Sequence, residues 1–212
     1  MLAEVGTVVE HGETVSIDLT LSVDEMWRQT SRTHQKHIKR GRRAGIEVVI
    51  DDWEPFGEWV DIYHANMRRV QATDFYFFGR EYLEQVRTAL KDDVHFAAAF
   101  AGGELLGGNL SFEHDGIMNA HLQATSEEMS DWTGKLLYDE MRRWGRDRGN
   151  TVYHLGGGVG GTTDSLFLYK AGFADGRQPF HTWRIVADEV AFEELAGKQT
   201  PKMLAERFPP YR

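Results

Sequence analysis

Two adjacent residues, Tyr169 and Lys170, carry the side chains with the most chemistry to offer. A phenol with an ordinary pKa of ~10 can donate a proton, and an ammonium can stabilise developing negative charge. They lie in the short helical stretch Asp164–Ala171, stopped by Gly172. The plain alternative is an aromatic on a packed helix and a lysine favoured by the helix C-terminus. Upstream, Gly156, Gly158 and Gly161 satisfy G-x-G-x-x-G. A dinucleotide site needs a long helix after that loop and an acid ~20 residues on. The helix here is too short, so the glycines are read as a flexible turn or a place where backbone approaches a ligand. His34 and His37 are three apart but have no carboxylate beside them, so no metal site is read. His121 and His154 fall on neighbouring strand segments, either lining a cleft or pairing in the core.

The stretch Arg28–Arg43 holds seven cations, including Lys36 and Arg40, and no acid. It reads either as a solvated helix face or as a contact for tRNA or a nucleotide diphosphate, since such a run repels itself unless an anion is near. The whole chain is acidic, with 24 Lys plus Arg against 33 Asp plus Glu and a net charge of −9. That argues against general nucleic-acid binding, which is driven by phosphate neutralisation. The absence of cysteine excludes disulfides, thiolate zinc and a cysteine nucleophile. With no signal peptide in Met1–Glu10 and no apolar run of ~18 residues, the expected location is cytoplasmic. At 212 residues and 41% hydrophobic, the chain can bury one domain core.

The elements that must position these groups follow from periodicity. Val15, Ile17, Leu19 and Leu21 alternate with polar residues as in a half-buried strand. A basic helix ends at Gly45, a strand covers Ile46–Asp52, and Trp53–Gln71 and Gly79–Lys91 read as helices. Val94–Ala101, Glu104–Glu113 and Ile117–Thr125 form a meander joined at Gly102-Gly103 and Asp115-Gly116. Ser130–Arg148 is a helix, Thr151–Leu155 a strand, and Phe180–Val186 another; a last short helix precedes Pro201. This is an α/β order in which a meander feeds a βαβ crossover.

The order resembles the GNAT acyltransferase fold, a mixed central sheet with helices on both faces. Ser165-Leu-Phe-Leu-Tyr-Lys-Ala-Gly-Phe173 is similar to the GNAT segment ending in K-x-G-F. His154-Leu-Gly-Gly-Gly158 followed by Asp164–Lys170 resembles the Fem family, which transfers amino acids from aminoacyl-tRNA onto peptidoglycan precursors. Ser31–Gly45 resembles the opening of a Fem-type second domain, with His34 or Gln35 near the usual arginine. The resemblance implies an acyl or aminoacyl transferase acting on an amine, with Tyr169 as acid and Lys170 at the reaction centre. It implies a donor at the splay between Ile117–Thr125 and Thr151–Leu155. Oxyanion contacts fall near Leu122, Gln123 and Ala124, and further substrate contacts at His121, His154, Gly156, Gly157, Gly158, Lys36 and Arg40.

In coenzyme A-dependent members a glycine-rich loop before the long helix holds the pyrophosphate. The matching Met129–Lys135 keeps Gly134 and puts Asp131 where phosphate would sit. The expected donor is therefore aminoacyl-tRNA, with acetyl-coenzyme A as the alternative and no tightly bound cofactor; a non-catalytic binding module is the other rival. The acceptor is a small molecule or a cell-wall precursor. Residues 1–30 read as a strand and linker, a remnant of a preceding domain, and 31–212 as the GNAT-like domain. The apolar face of Val15–Leu21, left at a sheet edge, predicts pairing with a second copy of the chain, the alternative being docking on this domain's own sheet.

Overall fold

The computed structural model describes residues 5–128, 130–197 and 208–210. Its strands are β1 (Thr7–Asp18), β2 (Glu47–Ile50), β3 (Val94–Ala101), β4 (Glu104–His114), β5 (Ile117–Thr125), β6 (Val152–Gly156) and β7 (Gly176–Arg184). Its helices are α1 (Val23–Gln29), α2 (Arg32–Arg43), α3 (Phe56–Arg69), α4 (Arg80–Leu90), α5 (Ser130–Asp147), α6 (Ser165–Ala171) and α7 (Glu189–Ala196). Met129 and Pro201 lie outside the described residues.

One sheet runs β2-β3-β4-β5-β6-β1-β7. The β5–β6 pair is parallel and the others are antiparallel. Period-2 alternation sends β3 into two cores at once. Ala97 and Ala99 join Met26, Ile38, Leu137, Met141 and Phe173 on the face covered by α1, α2, α5 and α6. Val94, Phe96 and Ala98 join Phe56, Trp59, Tyr63 and Leu83 of α3 and α4 on the other. Each of the large aliphatic and aromatic side chains among them stabilises the fold by ~1.5–3 kcal/mol when fully buried.

The stretch read as one basic helix is two. Thr30 is extended, and the Ser31 hydroxyl caps α2 by accepting from the His34 amide at 3.3 Å. That satisfies one of the free amides of the first turn. The anion its cations call for comes from α5. Arg42 Nη2 donates to Asp139 at 2.5 Å and to Glu140 at 2.7 Å, while Lys39 lies over the Trp27 ring. Asp139 is fully buried and is also gripped by Arg142 and Arg143. Removing one partner from such a buried ionic cluster strands the others' charge, so the cluster locks α2 onto α5.

The expected edge position of the first strand gives way to an internal one. β1 lies between β6 and β7, pairing Ile17 with Tyr153 on one side and Thr14 with Gln178 on the other. Val15, Ile17 and Leu19 are buried in this domain's own core. The free apolar β1 edge that argued for pairing with a second copy is therefore absent, and β7 is the edge strand on that side of the sheet. Periodicity shows that one face is apolar but not which sheet covers it.

Candidate active site at the splay of two strands

β5 and β6 pair only at Ile117–Val152, Met118–Tyr153 and Asn119–His154. Beyond Asn119 they part. β5 continues on β4 as far as Thr125, and β6 stays on β1 through Gly156. Beside the parted end of β5 lies a cleft of about 300 Å³ lined by Asn66 and Arg69 of α3 and Val70 just after it, Gln123–Thr125 of β5, Asp131, Gly134 and Lys135 of α5, and Tyr169 of α6.

Tyr169 is fixed from three directions. Its ring packs against Tyr138 and Phe173. Its carbonyl accepts a hydrogen bond from His34 Nε2 at 2.8 Å. Its hydroxyl accepts from Gln123 Nε2 at 3.1 Å. A carbonyl only accepts, so His34 carries its proton on Nε2. Burial lowers the His34 pKa to about 4, helped by the charge on Lys135, and the ring is neutral at pH 7. Gly172, the glycine of the K-x-G-F ending, leaves room for that ring: a Cβ there would sit 2.6 Å from two of its atoms. Gly134 plays the same part for the phenol. A Cβ on it would fall 3.0 Å from both Tyr169 Oη and Gln123 Nε2. Burial pushes the Tyr169 phenol well above its ordinary range, and the neighbouring Tyr138 adds to this, so the proton stays on until a strong base appears.

Lys135 is 5% exposed. Its Nζ lies 5.1 Å from the centre of the Tyr169 ring and donates to the Asp131 carbonyl at 3.1 Å. Sequence reasoning missed it, because one lysine beside Leu136 and Leu137 looks like any polar position on an amphipathic helix. Asn66, Arg69 and Val70 were missed for the same reason, since only the packing of α3 brings its last turn to β5.

Lys170 faces the other flank. Its Nζ donates to the Gly157 carbonyl at 2.7 Å, and a Cβ on Gly156 would approach it to 3.3 Å. Burial lowers its pKa to about 8 against the opposing pull of Asp164. Nearby, His154 Nδ1 accepts from Asn119 Nδ2 at 2.8 Å, and burial together with Lys170 lowers its pKa. The structure thus separates the expected residues into groups. Tyr169, Gln123 and Ala124 line the cleft, while Lys170, His154, Gly156 and Gly157 gather at the end of β6. Leu122 packs against the core on the α3 side. His121 stacks on Phe112 with ring centres 4.5 Å apart. Lys36 and Arg40 are exposed on α2. Gly157 and Gly161 let the loop touch β1: a Cβ on either would fall 2.7 Å and 2.1 Å from the Glu13 and His11 carbonyls. Gly158 closes on Thr162 and Asp164 in the same way.

The splay of this parallel pair and the order of elements around it are those of an acyltransferase domain. The family described as Acetyltransferase (GNAT) domain matches residues 28–170, and the chain belongs to it. Among solved structures, FemX superposes with a TM-score of 0.70 at 13% identity over 86% of this chain and 63% of its own. L-PGS from Bacillus licheniformis gives 0.62 at 15% over 84% and 61%. These likenesses establish the fold, and the chain spans less than two thirds of either relative. No curated protein matches it in sequence. Among the described residues no helix is long and apolar enough to cross a membrane.

Proposed function

We propose that the chain moves an aminoacyl group from an activated ester onto an amine, with the donor carbonyl seated in the cleft beside the end of β5 that has parted from β6. The observation that carries this is Tyr169 Oη, lining the cleft opposite Gly134 with its proton retained. The amine nitrogen attacks the ester carbon, and the carbonyl electrons move onto oxygen. Collapse of that oxyanion breaks the ester C–O bond. Tyr169 gives its proton to the leaving oxygen and recovers one from the attacking ammonium through solvent. Along Leu122–Ala124, β5 has left β6, so backbone groups on that edge are free to meet the oxyanion. Lys170, with its pKa near 8, supports the charge from the β6 flank. Asp131, exposed at the cleft rim, opposes a pyrophosphate and complements the α-ammonium of an aminoacyl donor. Lys36 and Arg40 offer exposed charge to the tRNA that would carry it, and a cell-wall precursor is the acceptor the Fem likeness suggests.

One observation favours a second reading, coenzyme A-dependent acetyl transfer. Lys135 Nζ stands 3.4 Å from Asp131 Oδ1 and offsets the acid that would repel phosphate. Incubating the chain with tRNA charged with ¹⁴C-amino acids and a UDP-linked muramyl pentapeptide separates the two. Label in the pentapeptide supports aminoacyl transfer. Label delivered only from ¹⁴C-acetyl-coenzyme A would overturn it in favour of the second reading.

A further inference from the structure

Behind the cleft, a chain of hydrogen bonds runs from the core to the Tyr169 hydroxyl. Asn109 and Ser111 on β4 and Tyr153 on β6 are all fully buried. Ser111 Oγ donates to Asn109 Oδ1 at 2.7 Å. It lies 3.0 Å from Tyr153 Oη, which also reaches Asn109 Oδ1 at 3.3 Å. Asn109 Nδ2 donates to Gln123 Oε1 at 3.4 Å, and Gln123 Nε2 donates to Tyr169 Oη at 3.1 Å.

Counting hydrogens gives this chain a direction. With Asn109 Oδ1 toward the two hydroxyls, both hydroxyl hydrogens find an acceptor: Ser111 gives to Asn109, and Tyr153 gives to Ser111 or Asn109. Reversing the Asn109 amide would aim an N–H at the same hydroxyls. Three donors would then share two acceptors, leaving one buried hydroxyl hydrogen without a partner, which costs ~1–3 kcal/mol. The amide of Asn109 is thereby set, and through it the amide of Gln123. Gln123 then presents an N–H to Tyr169, occupying a lone pair of Oη and forcing the phenolic hydrogen elsewhere.

We propose that the buried chain Tyr153–Ser111–Asn109–Gln123 is an orienting device that points the Tyr169 hydrogen into the cleft and leaves an N–H waiting for the phenolate. Asn109, Ser111 and Tyr153 are positioning residues, and Gln123 is the contact through which they act. The inference rests on Tyr169 being the acid, but its test does not require the reaction. In the full chain, 2,3,5-trifluorotyrosine, whose phenol is more acidic than that of tyrosine, replaces Tyr169. Its ¹⁹F resonance is followed against pH. Gln123→Leu raises the midpoint by about one pH unit, the equivalent of one hydrogen bond to the phenolate. Asn109→Leu raises it in the same direction without touching the phenol, and adds nothing once Gln123→Leu is present. Should Asn109→Leu fail to fold, Ser111→Ala gives a smaller rise of the same sign. A folded Asn109→Leu, or failing that Ser111→Ala, titrating with the unsubstituted chain would overturn the proposal. Full transfer activity in Tyr169→Phe would sink the acid reading instead and leave the titration result standing.

Discussion

Tyr169 and Lys170 are neighbours in sequence and belong to different regions of the site. One helical step turns a side chain by ~100°, and α6 sits across the splay, so the phenol reaches β5 and α5 while the ammonium reaches the end of β6. Burial acts on both by the same physics with opposite outcomes. It disfavours the charged form, so the phenol holds its proton more tightly and the lysine less tightly. The Tyr169 phenol on the β5 flank thereby keeps its proton at physiological pH. The β6 flank is a cation on the point of losing its charge. Neither property is visible in the pair of letters Tyr-Lys.

The largest effect that would sharpen this contrast is on turnover. Tyr169→Phe lowers kcat by ~10²–10³ with the fold intact. Lys170→Ala also lowers it, and a steady-state comparison ranks the flanks. Equal rates in both variants and the parent chain would erase the site. The next effect is on stability. The folded Lys170 pKa of about 8 lies below its reference value of 10.5. The unfolded chain therefore binds more protons between those pH values, and stability rises with pH across that window. Lys170→Met removes the rise and stabilises the protein at pH 7 by ~2 kcal/mol, read by urea unfolding at pH 7 and 10. A variant that is less stable at pH 7 would show that the bond to Gly157 outweighs desolvation.

His34 on the β5 flank gives a smaller change at acid pH. Its pKa falls from 6.5 to about 4 on folding. Stability contributed by the neutral ring is present above pH 6.5 and is lost as pH drops toward 4. The loss is ~1–2 kcal/mol, discounted for solvent in the adjoining cleft. Thermal unfolding from pH 7 to 4 should show that loss, and His34→Gln should flatten it. Smallest is Gly134→Ala. Alanine favours a helix interior by ~1 kcal/mol over glycine, yet its Cβ would press on Tyr169 Oη and Gln123 Nε2. The melting point changes little, while kcat falls by ~10-fold. Unchanged kcat would mean that the phenol tolerates displacement.

Much of the architecture was legible because it is carried by period and punctuation. The meander is set by alternation in β3 to β5 and by Gly102-Gly103 and Asp115-Gly116, which take up positive φ. The family motif placed Tyr169 on α6. The break at Thr30–Ser31 was missed because capping competes with helix continuation at the scale of one hydrogen bond. Lys135 was missed because burial of a lysine depends on what packs over it.

The sequence by itself determined which faces are apolar, where the chain turns and which residue types are available for acyl transfer, because these depend on contacts close along the chain. Only the tertiary structure decided that β1 enters the sheet between β6 and β7. It alone decided that Asp139 answers the cations of α2, that Tyr169 and Lys170 stand on opposite flanks, and that Asn109 reaches Tyr169 through Gln123. Each of these joins residues far apart in sequence, and each is settled by whether a polar group finds its partner or an apolar one its cover, which is defined only once the chain has folded.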